Sequence, residues 1–426
     1  MNLTAPQDIR ICVIGLGYVG LPLATLFSSR YPTIGFDLNL NRVEALCQGH
    51  DATLEVCEDK LVTAIKNGLT FTNQEQDIRD CNVYVVAVPT PVDIYNRPDL
   101  CPILDATTTV SHVISRGDVV IYESTVYPGV TEEECVPLIE QLSGFRYNED
   151  FFAGYSPERV NPGDKTHTVE QICKVTSGST PHVADFVDTL YSSVLLGGTH
   201  KASSIRVAEA AKIIENAQRD VNIAFVNELA KIFNAMGIDT NEVLDAASTK
   251  WNFIKMKPGL VGGHCISVDP YYLIQKAQVY GVFPQVMSNA RRLNDSMGAY
   301  VANQLIHHMN LKGVKVKDSK ILILGFTFKE NCPDTRNTKV ADIYRTLQTY
   351  TDNITVCDPW ADPILVQKEY GIKLVNQVPQ QTYDAAIVAV AHQQFLNQEL
   401  RQLVPHPGVI YDVKGQMPKD QIDARL

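Results

Sequence analysis

The sequence predicts an α/β protein with two doubly wound parallel sheets joined by a long central helix. Three observations indicate this class. A strand, a glycine-rich loop and a helix open the chain, residues 201–236 contain neither proline nor glycine, and alternating strands and helices return in the last third. Such alternation is typical of parallel sheets with helices on both faces. Because 426 residues exceed one ordinary domain, we expect domains at 1–200, 201–300 and 301–426.

Composition limits the classes of protein. The chain is 45% hydrophobic and 20% charged, as globular proteins are. Its net charge of −11 argues against bulk nucleic-acid binding, which needs a basic face. No apolar run reaches the roughly 20 residues of a membrane span, and the first residues lack signal-peptide features. Ten cysteines without C-x-x-C spacing predict reduced thiols in a cytoplasm and no metal site.

The opening unit carries a phosphate-binding fingerprint. Residues 9–14 form an apolar strand, Gly15-x-Gly17-x-x-Gly20 follows, and residues 21–27 have helical patterning. This order indicates a Rossmann-like dinucleotide-binding domain. We expect Gly15 to make the turn, Gly17 to let a pyrophosphate approach and Gly20 to let the helix pack on the strand. The amides at the helix N-terminus would then face the phosphates.

An acidic residue selects the dinucleotide. Asp37 ends the second strand (residues 33–36), where a carboxylate accepts hydrogen bonds from the adenosine ribose and repels a 2′-phosphate. This favours NAD, although Arg42 nearby leaves NADP open.

Polar residues follow further strand ends, where ligands bind in open α/β sheets. The strand at 83–88 ends in Pro89-Thr90-Pro91, the strand at 119–122 in Glu123-Ser124-Thr125, and the segment 151–154 leads to Glu158. We expect these ends to line the cofactor crevice.

The central third combines a helix with a cysteine loop. Lys212 and Asn216 lie four residues apart on one helical face, with Lys212 either turned inward or at the surface. The helix is long enough to pack against a partner subunit, which predicts a homodimer. Further on, Gly262-Gly263-His264-Cys265 leaves space beside a sulfur, although such a cysteine is more often a small buried hydrophobic residue than a nucleophile.

The last third, from about residue 318, predicts a second doubly wound domain without the full glycine fingerprint, suited to a different nucleotide. Polar side chains cluster after its first strand, at Lys329, Asp334, Arg336 and Lys339. Upstream, Lys250, Lys255 and Lys257 are either solvated charges or an approach for a diphosphate.

These motifs together resemble one family. The G-x-G-x-x-G loop, Glu158, Lys212-x-x-x-Asn216, Gly262-Gly263-x-Cys265 and Phe328-Lys329-x-x-x-x-Asp334-x-Arg336 occur in the order found in nucleotide-sugar 6-dehydrogenases, the UDP-glucose/GDP-mannose dehydrogenase family. The surrounding residues resemble its UDP-N-acetylhexosamine branch. The resemblance implies oxidation of the C6 alcohol of UDP-N-acetylglucosamine to a carboxylate with two NAD⁺ in succession, for surface polysaccharide synthesis. The galacto epimer of the substrate stays open.

The resemblance also implies roles. Cys265 would form a thiohemiacetal and then a thioester, Lys212 and Asn216 would stabilise oxyanion charge, and Glu158 would activate the hydrolytic water. Asp269 and Thr125 match positions near proton transfer and bound water. The cofactor would contact Gly15, Gly17, Tyr18, Val19, Gly20, Asp37, Arg42, Pro89, Thr90, Pro91, Ser124, Thr125, Cys265 and Arg336. The UDP-sugar would contact Glu158, Arg159, Val160, Asn161, Lys212, Asn216, Lys257, Gly259, Gly262, Phe328, Lys329 and Lys414.

Departures from the glucose enzymes favour a different sugar. His264 precedes the cysteine, Val268 precedes Asp269, and Lys414 stands where those enzymes place an arginine, losing bidentate geometry. Arg159 is a hypothetical reader of the acetamido group or the carboxylate product. Two other hypotheses remain: a two-electron dehydrogenase, which needs neither Cys265 nor Glu158, and a catalytically inactive dinucleotide-binding protein.

Overall fold

The computed structural model describes residues 8–93, 95–160, 168–263 and 266–426. The chain forms two compact units. The first comprises Met1–Glu215 and Tyr271–Tyr280, and the second Asn216–Pro270 and Gly281–Leu426. One long helix, Ile205–Met236, begins in the first unit and continues into the second. The three-domain division stays a prediction.

The first unit contains a sheet with the strand order β3-β2-β1-β4-β5-β6-β7-β8, in which only the β6–β7 pair is antiparallel among the described strands. Its first six strands have the order of a doubly wound dinucleotide-binding sheet, with the switch point between β1 and β4. The strands are β1 Ile11–Ile14, β2 Thr33–Phe36, β3 Thr70–Thr72, β4 Val83–Val86, β5 Val119–Tyr122, β6 Phe152–Tyr155, β7 Lys174–Gly178 and β8 Thr199–Lys201.

The second unit repeats that order as β11-β10-β9-β12-β13-β14, and the paired strands are parallel throughout. Its switch point lies between β9 and β12. The strands are β9 Ile321–Leu324, β10 Ile354–Cys357, β11 Leu374–Val375, β12 Ala385–Val388, β13 Val409–Asp412 and β14 Ala424–Arg425. The predicted fold class, two doubly wound sheets with a long central helix, is therefore confirmed.

Helices cover the sheets. In chain order they are α1 Gly20–Phe27, α2 Leu40–Cys47, α3 Glu58–Lys66, α4 Cys101–Val113, α5 Val136–Ser143, α6 Pro181–Ser192, α7 Ile205–Met236, α8 Thr240–Ala247, α9 Asp269–Val279, α10 Gln285–Asp295, α11 Met297–Leu311, α12 Val340–Gln348, α13 Pro363–Tyr370, α14 Gln393–Leu396 and α15 Leu400–Leu403. Helix α7 starts four residues later than predicted because Thr199–Lys201 pairs with β7, and the Ser204 hydroxyl then accepts the Val207 amide. In the part of the chain that the structure describes, helices long and apolar enough to cross a membrane are absent.

Each sheet separates two apolar layers. Ile11 and Val13 of β1 face the layer that contains α1, whereas Cys12 and Ile14 face the layer that contains α4. Side chains alternate in the same way along β9. Because successive residues of a strand point to opposite faces, helices on both faces leave these strands completely buried. The carboxyl ends, where the polar loops start, are held by this rigid core.

Candidate active site

The glycine-rich loop of the first unit has three different glycines. Gly15 turns the chain at φ +89°, and a Cβ there would lie 2.9 Å from the Ala87 carbonyl oxygen. A Cβ on Gly20 would lie 1.8 Å from the Gly15 carbonyl oxygen, so that only glycine allows α1 to pack this closely. A Cβ on Gly17 would meet no atom within 4 Å. The space beside Gly17, next to the α1 N-terminus, is therefore open, as the predicted approach of a pyrophosphate requires.

The end of β2 is braced against this loop. The Asp37 carboxylate accepts hydrogen bonds from the Leu16 amide (2.9 Å) and the Asn39 amide (2.9 Å). Arg42 donates to the Leu16 carbonyl (3.0 and 2.8 Å) and pairs with Asp51 at 2.8 Å. The Arg42 guanidinium is thus bound to other protein groups, and it no longer gives a reason to expect recognition of the 2′-phosphate of NADP. Asp37 retains lone pairs for a ribose.

The loops after β4 and β5 are joined by hydrogen bonds. The Thr90 hydroxyl donates to the Thr125 carbonyl (2.6 Å), and the Ser124 hydroxyl donates to the Val88 carbonyl (2.7 Å). Tyr272 of α9 donates to the Pro91 carbonyl at 3.0 Å. The structure therefore brings together the predicted cofactor residues at these two strand ends. Tyr18 and Val19 lie at intermediate exposure in the turn before α1.

A buried carboxylate of α7 supports the segment that follows Thr125. Glu209 accepts the Gly129 amide at 2.6 Å, the Thr131 amide at 3.0 Å and the Thr131 hydroxyl at 2.7 Å. Burial raises the pKa of Glu209 to about 7, against the opposing effect of these hydrogen bonds. This link between α7 and the β5 loop was not predicted, since nothing local marks Glu209.

Glu158 follows β6 in a structured loop. One of its carboxylate oxygens accepts the amides of Arg159 (2.6 Å) and Val160 (2.5 Å). The Arg159 side chain donates to the Cys173 carbonyl (2.6 Å) and pairs with Glu215 of α7 (2.8 Å). Arg159, predicted as a reader of the sugar, is therefore partly committed to the protein. Asn161, also predicted to bind substrate, lies outside the described residues.

Helix α7 presents Lys212 and Asn216 one turn apart. Lys212 is only 7% exposed, which decides for its inward placement, and among the described residues its ammonium has no hydrogen-bonding or ionic partner. The Asn216 amide donates to the Asp269 carboxylate at 2.5 Å, and both side chains are buried. A buried charge is costly unless it is paired, so Lys212 is suited to meeting negative charge on a ligand.

The second unit places the paired glycines against its first strand loop. A Cβ on Gly263, whose φ is +89°, would lie 2.8 Å from the Phe328 ring, and one on Gly262 would lie 2.7 Å from the Asn337 carbonyl oxygen. The Gly263 carbonyl accepts the Asn337 amide group (3.2 Å) and the Ser267 hydroxyl (2.6 Å). These contacts fix both sides of the predicted cysteine loop. His264 and Cys265 themselves lie outside the described residues.

Charged residues of the second unit have partners in the same unit. Arg336 forms a bidentate pair with Asp334, with distances from 2.5 to 3.1 Å. Lys414 pairs with Glu330 at 3.3 Å, and its ammonium would lie 3.9 Å from a Cβ on Gly259. The structure thus brings Lys414 beside Gly259.

The lysines differ in their surroundings. Lys250, Lys255 and Lys257 are exposed, as solvated charges are, whereas Lys329 is of intermediate exposure and has a partner.

An asparagine of α7 holds the Gly259 backbone, and sequence reasoning missed it. The Asn227 side chain accepts the Gly259 amide (2.8 Å) and donates to the Gly259 carbonyl (3.0 Å). Asn294 accepts the remaining Asn227 proton at 2.9 Å. In the sequence Asn227 is simply an asparagine within a long helical stretch, which does not show what its side chain would contact.

The loop after β9 lacks the G-x-G-x-x-G pattern of the first unit, and it is held by hydrogen bonds to Asp358, which follows β10. Asp358 accepts the amides of Phe326 (2.6 Å) and Thr327 (3.0 Å) and lies 2.9 Å from the His392 ring. Although burial alone would raise it, the interactions with His392 and the two amides lower the pKa of Asp358 to about 2. This carboxylate therefore joins the ends of neighbouring strands β9 and β10 in the second sheet.

The fold and the glycine-rich loop indicate a dinucleotide-binding protein with a second doubly wound sheet. The comparisons with known proteins then narrow the class: residues 9–195, 206–296 and 322–419 match the NAD binding, central and UDP binding domains of the UDP-glucose/GDP-mannose dehydrogenase family. The chain belongs to this family. The predicted family and the predicted cofactor, NAD, are confirmed.

Relatives match over the whole chain. It is 54% identical over 423 residues to a UDP-N-acetyl-D-glucosamine 6-dehydrogenase of Pseudomonas aeruginosa, covering 99% of this chain and 100% of the relative. It is 52% identical to a protein of the same name from Salmonella typhi, covering 99% of both. The solved UDP-D-ManNAc dehydrogenase of Pyrococcus horikoshii superposes with a TM-score of 0.89 at 28% identity, covering 98% of each chain.

Proposed function

We propose that this chain is an NAD-dependent UDP-N-acetyl-D-glucosamine 6-dehydrogenase that supplies a uronic acid nucleotide for surface polysaccharide synthesis. The observation that carries the proposal is the Lys212 side chain, which is 7% exposed and lies one helical turn from the Asn216–Asp269 pair. A cation on a largely buried side chain is suited to stabilise a developing oxyanion. The choice of sugar is supported by the relatives that share about half of their residues with this chain.

The reaction requires a covalent step on the protein. NAD⁺, when bound, accepts the hydride in each of the two oxidations. The first oxidation removes a hydride from C6 and the proton of its hydroxyl, which gives an aldehyde. The Cys265 thiolate then forms a C–S bond to the aldehyde carbon as the π electrons of the C=O bond move to oxygen, since a tetrahedral adduct is a better hydride donor than a free aldehyde. Lys212 donates a hydrogen bond to the resulting oxyanion. The second oxidation leaves a thioester, whose acyl carbon bears the sugar.

Hydrolysis completes the turnover. Glu158 takes a proton from water as the water oxygen forms its bond to the acyl carbon, and the C–S bond then breaks to return the thiolate. One water is consumed, and two NADH form per sugar. Asn216 and Asp269 stabilise the charge and the proton positions around the acyl group. Thr125 receives the Thr90 hydrogen bond on its carbonyl, and its hydroxyl has no hydrogen-bond partner among the described residues, so that it could meet ligand or water.

The test is incubation with NAD⁺ and separate UDP-sugars, with NADH counted by absorbance and the product identified by mass. We expect two NADH per UDP-N-acetylglucosamine and formation of the uronic acid. A preference for the UDP-N-acetylgalactosamine epimer would replace the proposed substrate, and one NADH per sugar would exclude the four-electron mechanism. Cys265→Ser should stop uronate formation, whereas Cys173→Ser, which changes an exposed free thiol, should not.

We also infer a homodimer formed along α7. Its exposed apolar side chains lie at positions that share one helical face, each between 46% and 62% exposed: Val207, Ile214, Phe225, Ile232 and Met236. Exposed apolar side chains grouped on one solvent face of a helix mark an interaction surface, and a second copy presents the same face.

Light scattering tests this inference. Phe225→Asp with Ile232→Asp should convert the dimer to a monomer. Trp251→Asp, which changes a 92% exposed apolar residue that is not part of α7, should leave the assembly unchanged. A monomeric wild type at working concentration would contradict the inference.

The nine described cysteines are free thiols, which accords with the proposed location in a reducing cytoplasm.

A further inference from the structure

Lys174 is a buried cation that the mechanism above does not use. It is the first residue of β7, and its side chain is 0% exposed. Its ammonium lies 2.5 Å from the Glu123 carboxylate, 2.9 Å from the Pro157 carbonyl oxygen and 3.4 Å from the Ser156 carbonyl oxygen. A buried ammonium persists only where such partners replace water. Two of them belong to the loop that leads to Glu158.

Glu123 fixes the position of this ammonium. It follows β5, and its second carboxylate oxygen accepts the hydroxyl proton of Tyr191 from α6. Burial raises the pKa of Glu123 to about 7, and the Lys174 ammonium opposes that effect. The network therefore connects β5, β7 and α6 beneath one loop. Few ammonium positions satisfy all of these contacts, so the geometry of Lys174 is well defined.

The network ends at the proposed general base. The Lys174 ammonium lies 4.0 Å from the outer carboxylate oxygen of Glu158, the oxygen that does not accept the loop amides. Lys174 thus contacts Glu158 electrostatically and holds the preceding residue through its carbonyl. Both interactions restrict the direction in which the Glu158 carboxylate points.

We propose that Lys174, held by Glu123 and Tyr191, is a positioning residue for Glu158 in thioester hydrolysis. This inference rests on the proposed function, because it assumes that Glu158 activates the water. The ammonium orients the carboxylate and its loop, and it takes no part in hydride transfer or in C–S bond formation. Its loss therefore slows the final step and leaves the earlier steps intact.

The test compares Lys174→Met with the conservative variant Lys174→Arg. A matched control is Thr176→Val, which removes a half-buried polar contact of β7, the 2.7 Å hydrogen bond from the Thr176 hydroxyl to Asp188 of α6. Rapid mixing with NAD⁺ and UDP-N-acetylglucosamine measures the first turnover. Intact-protein mass spectrometry detects the acyl group on Cys265.

We expect Lys174→Met to retain a burst of two NADH per site and then to turn over roughly tenfold to a hundredfold more slowly, because misplacement of a catalytic group by about 1 Å has effects of this size. The acyl-enzyme should accumulate. Lys174→Arg should recover much of the rate, and Thr176→Val should behave as the wild type does. A purely structural role would instead lower the burst and the steady rate together, without an adduct.

Two further arms keep the outcomes distinct. If Lys174→Met leaves Glu123 as an unpaired buried charge and fails to fold, the double variant Lys174→Met with Glu123→Gln removes both charges and should still accumulate the acyl-enzyme. Hydrolysis by the double variant at the wild-type rate would overturn the proposal, as would a steady rate within about twofold of wild type for a folded Lys174→Met. If the wild type itself forms no uronate, the proposed function fails instead.

Discussion

Gly20→Ala tests whether the approach of α1 to β1 builds the phosphate site. The added Cβ would lie 1.8 Å from the Gly15 carbonyl oxygen, where contacts under 3.0 Å are essentially never observed. The helix N-terminus must therefore withdraw by about 1.2 Å to reach 3.0 Å. Neither the new Cβ nor the Gly15 carbonyl oxygen can avoid the contact by a side-chain rotation. Overpacking of this kind costs about 3 kcal/mol, the upper part of its usual range. We expect reduced stability together with weakened NAD⁺ binding.

Gly17→Ala is the matched control within the same loop. Its Cβ would meet no protein atom within 4 Å, and the backbone of Gly17 lies outside the left-handed region. The free energy of unfolding should therefore change by less than about 1 kcal/mol. The methyl group would, however, occupy the space that a pyrophosphate needs. We expect NAD⁺ affinity to fall at least about tenfold, or roughly 1.4 kcal/mol.

Urea denaturation and calorimetric titration with NAD⁺ separate the two effects. Gly20→Ala should lose stability and affinity, and Gly17→Ala should lose affinity alone. Wild-type NAD⁺ affinity for Gly17→Ala would show that the pyrophosphate does not approach this glycine. Wild-type stability for Gly20→Ala would refute the packing argument.

Three other substitutions test two buried carboxylates, Glu209 and Asp358, and the proposed oxyanion-binding residue Lys212. The pKa of Glu209 is about 7 in the fold, against 4.5 for the free side chain. The folded state therefore binds the proton more tightly, and the free energy of unfolding falls as pH rises from about 4.5 to 7. Glu209→Gln should remove roughly 3 kcal/mol of that fall, measured by urea titrations across this pH range. The pKa of Asp358 is lowered from 3.8 to about 2. Its contribution to the free energy of unfolding is therefore present above about pH 4 and lost as pH falls through 2. Asp358→Asn should lower the free energy of unfolding by at least roughly 2 kcal/mol at pH 7, and an unchanged urea midpoint would contradict this. Lys212→Met should lower kcat by about a hundredfold or more with little change in NAD⁺ affinity, and a merely raised KM would argue against an oxyanion role.

Local patterns were sufficient for much of the fold. Gly15, Gly17 and Gly20 predicted the dinucleotide loop because backbone conformation and close approach depend on neighbours within a few residues. Apolar strands between helical stretches predicted two parallel sheets because strands covered on both faces are apolar throughout. The order of the motifs then indicated the family, and the matches along the chain confirmed it.

Only the tertiary structure decided which polar side chains are paired inside the protein. Lys174 reads as an ordinary strand residue until Glu123, 51 residues earlier in the chain, is found beside it. Glu209 looks like one more charge on a helix, yet it holds amides some 80 residues away. Arg42 left the choice of dinucleotide open until its contacts with Leu16 and Asp51 were known. Such pairings depend on packing between distant segments, and the free energy of a buried charge is set by the partners that packing supplies.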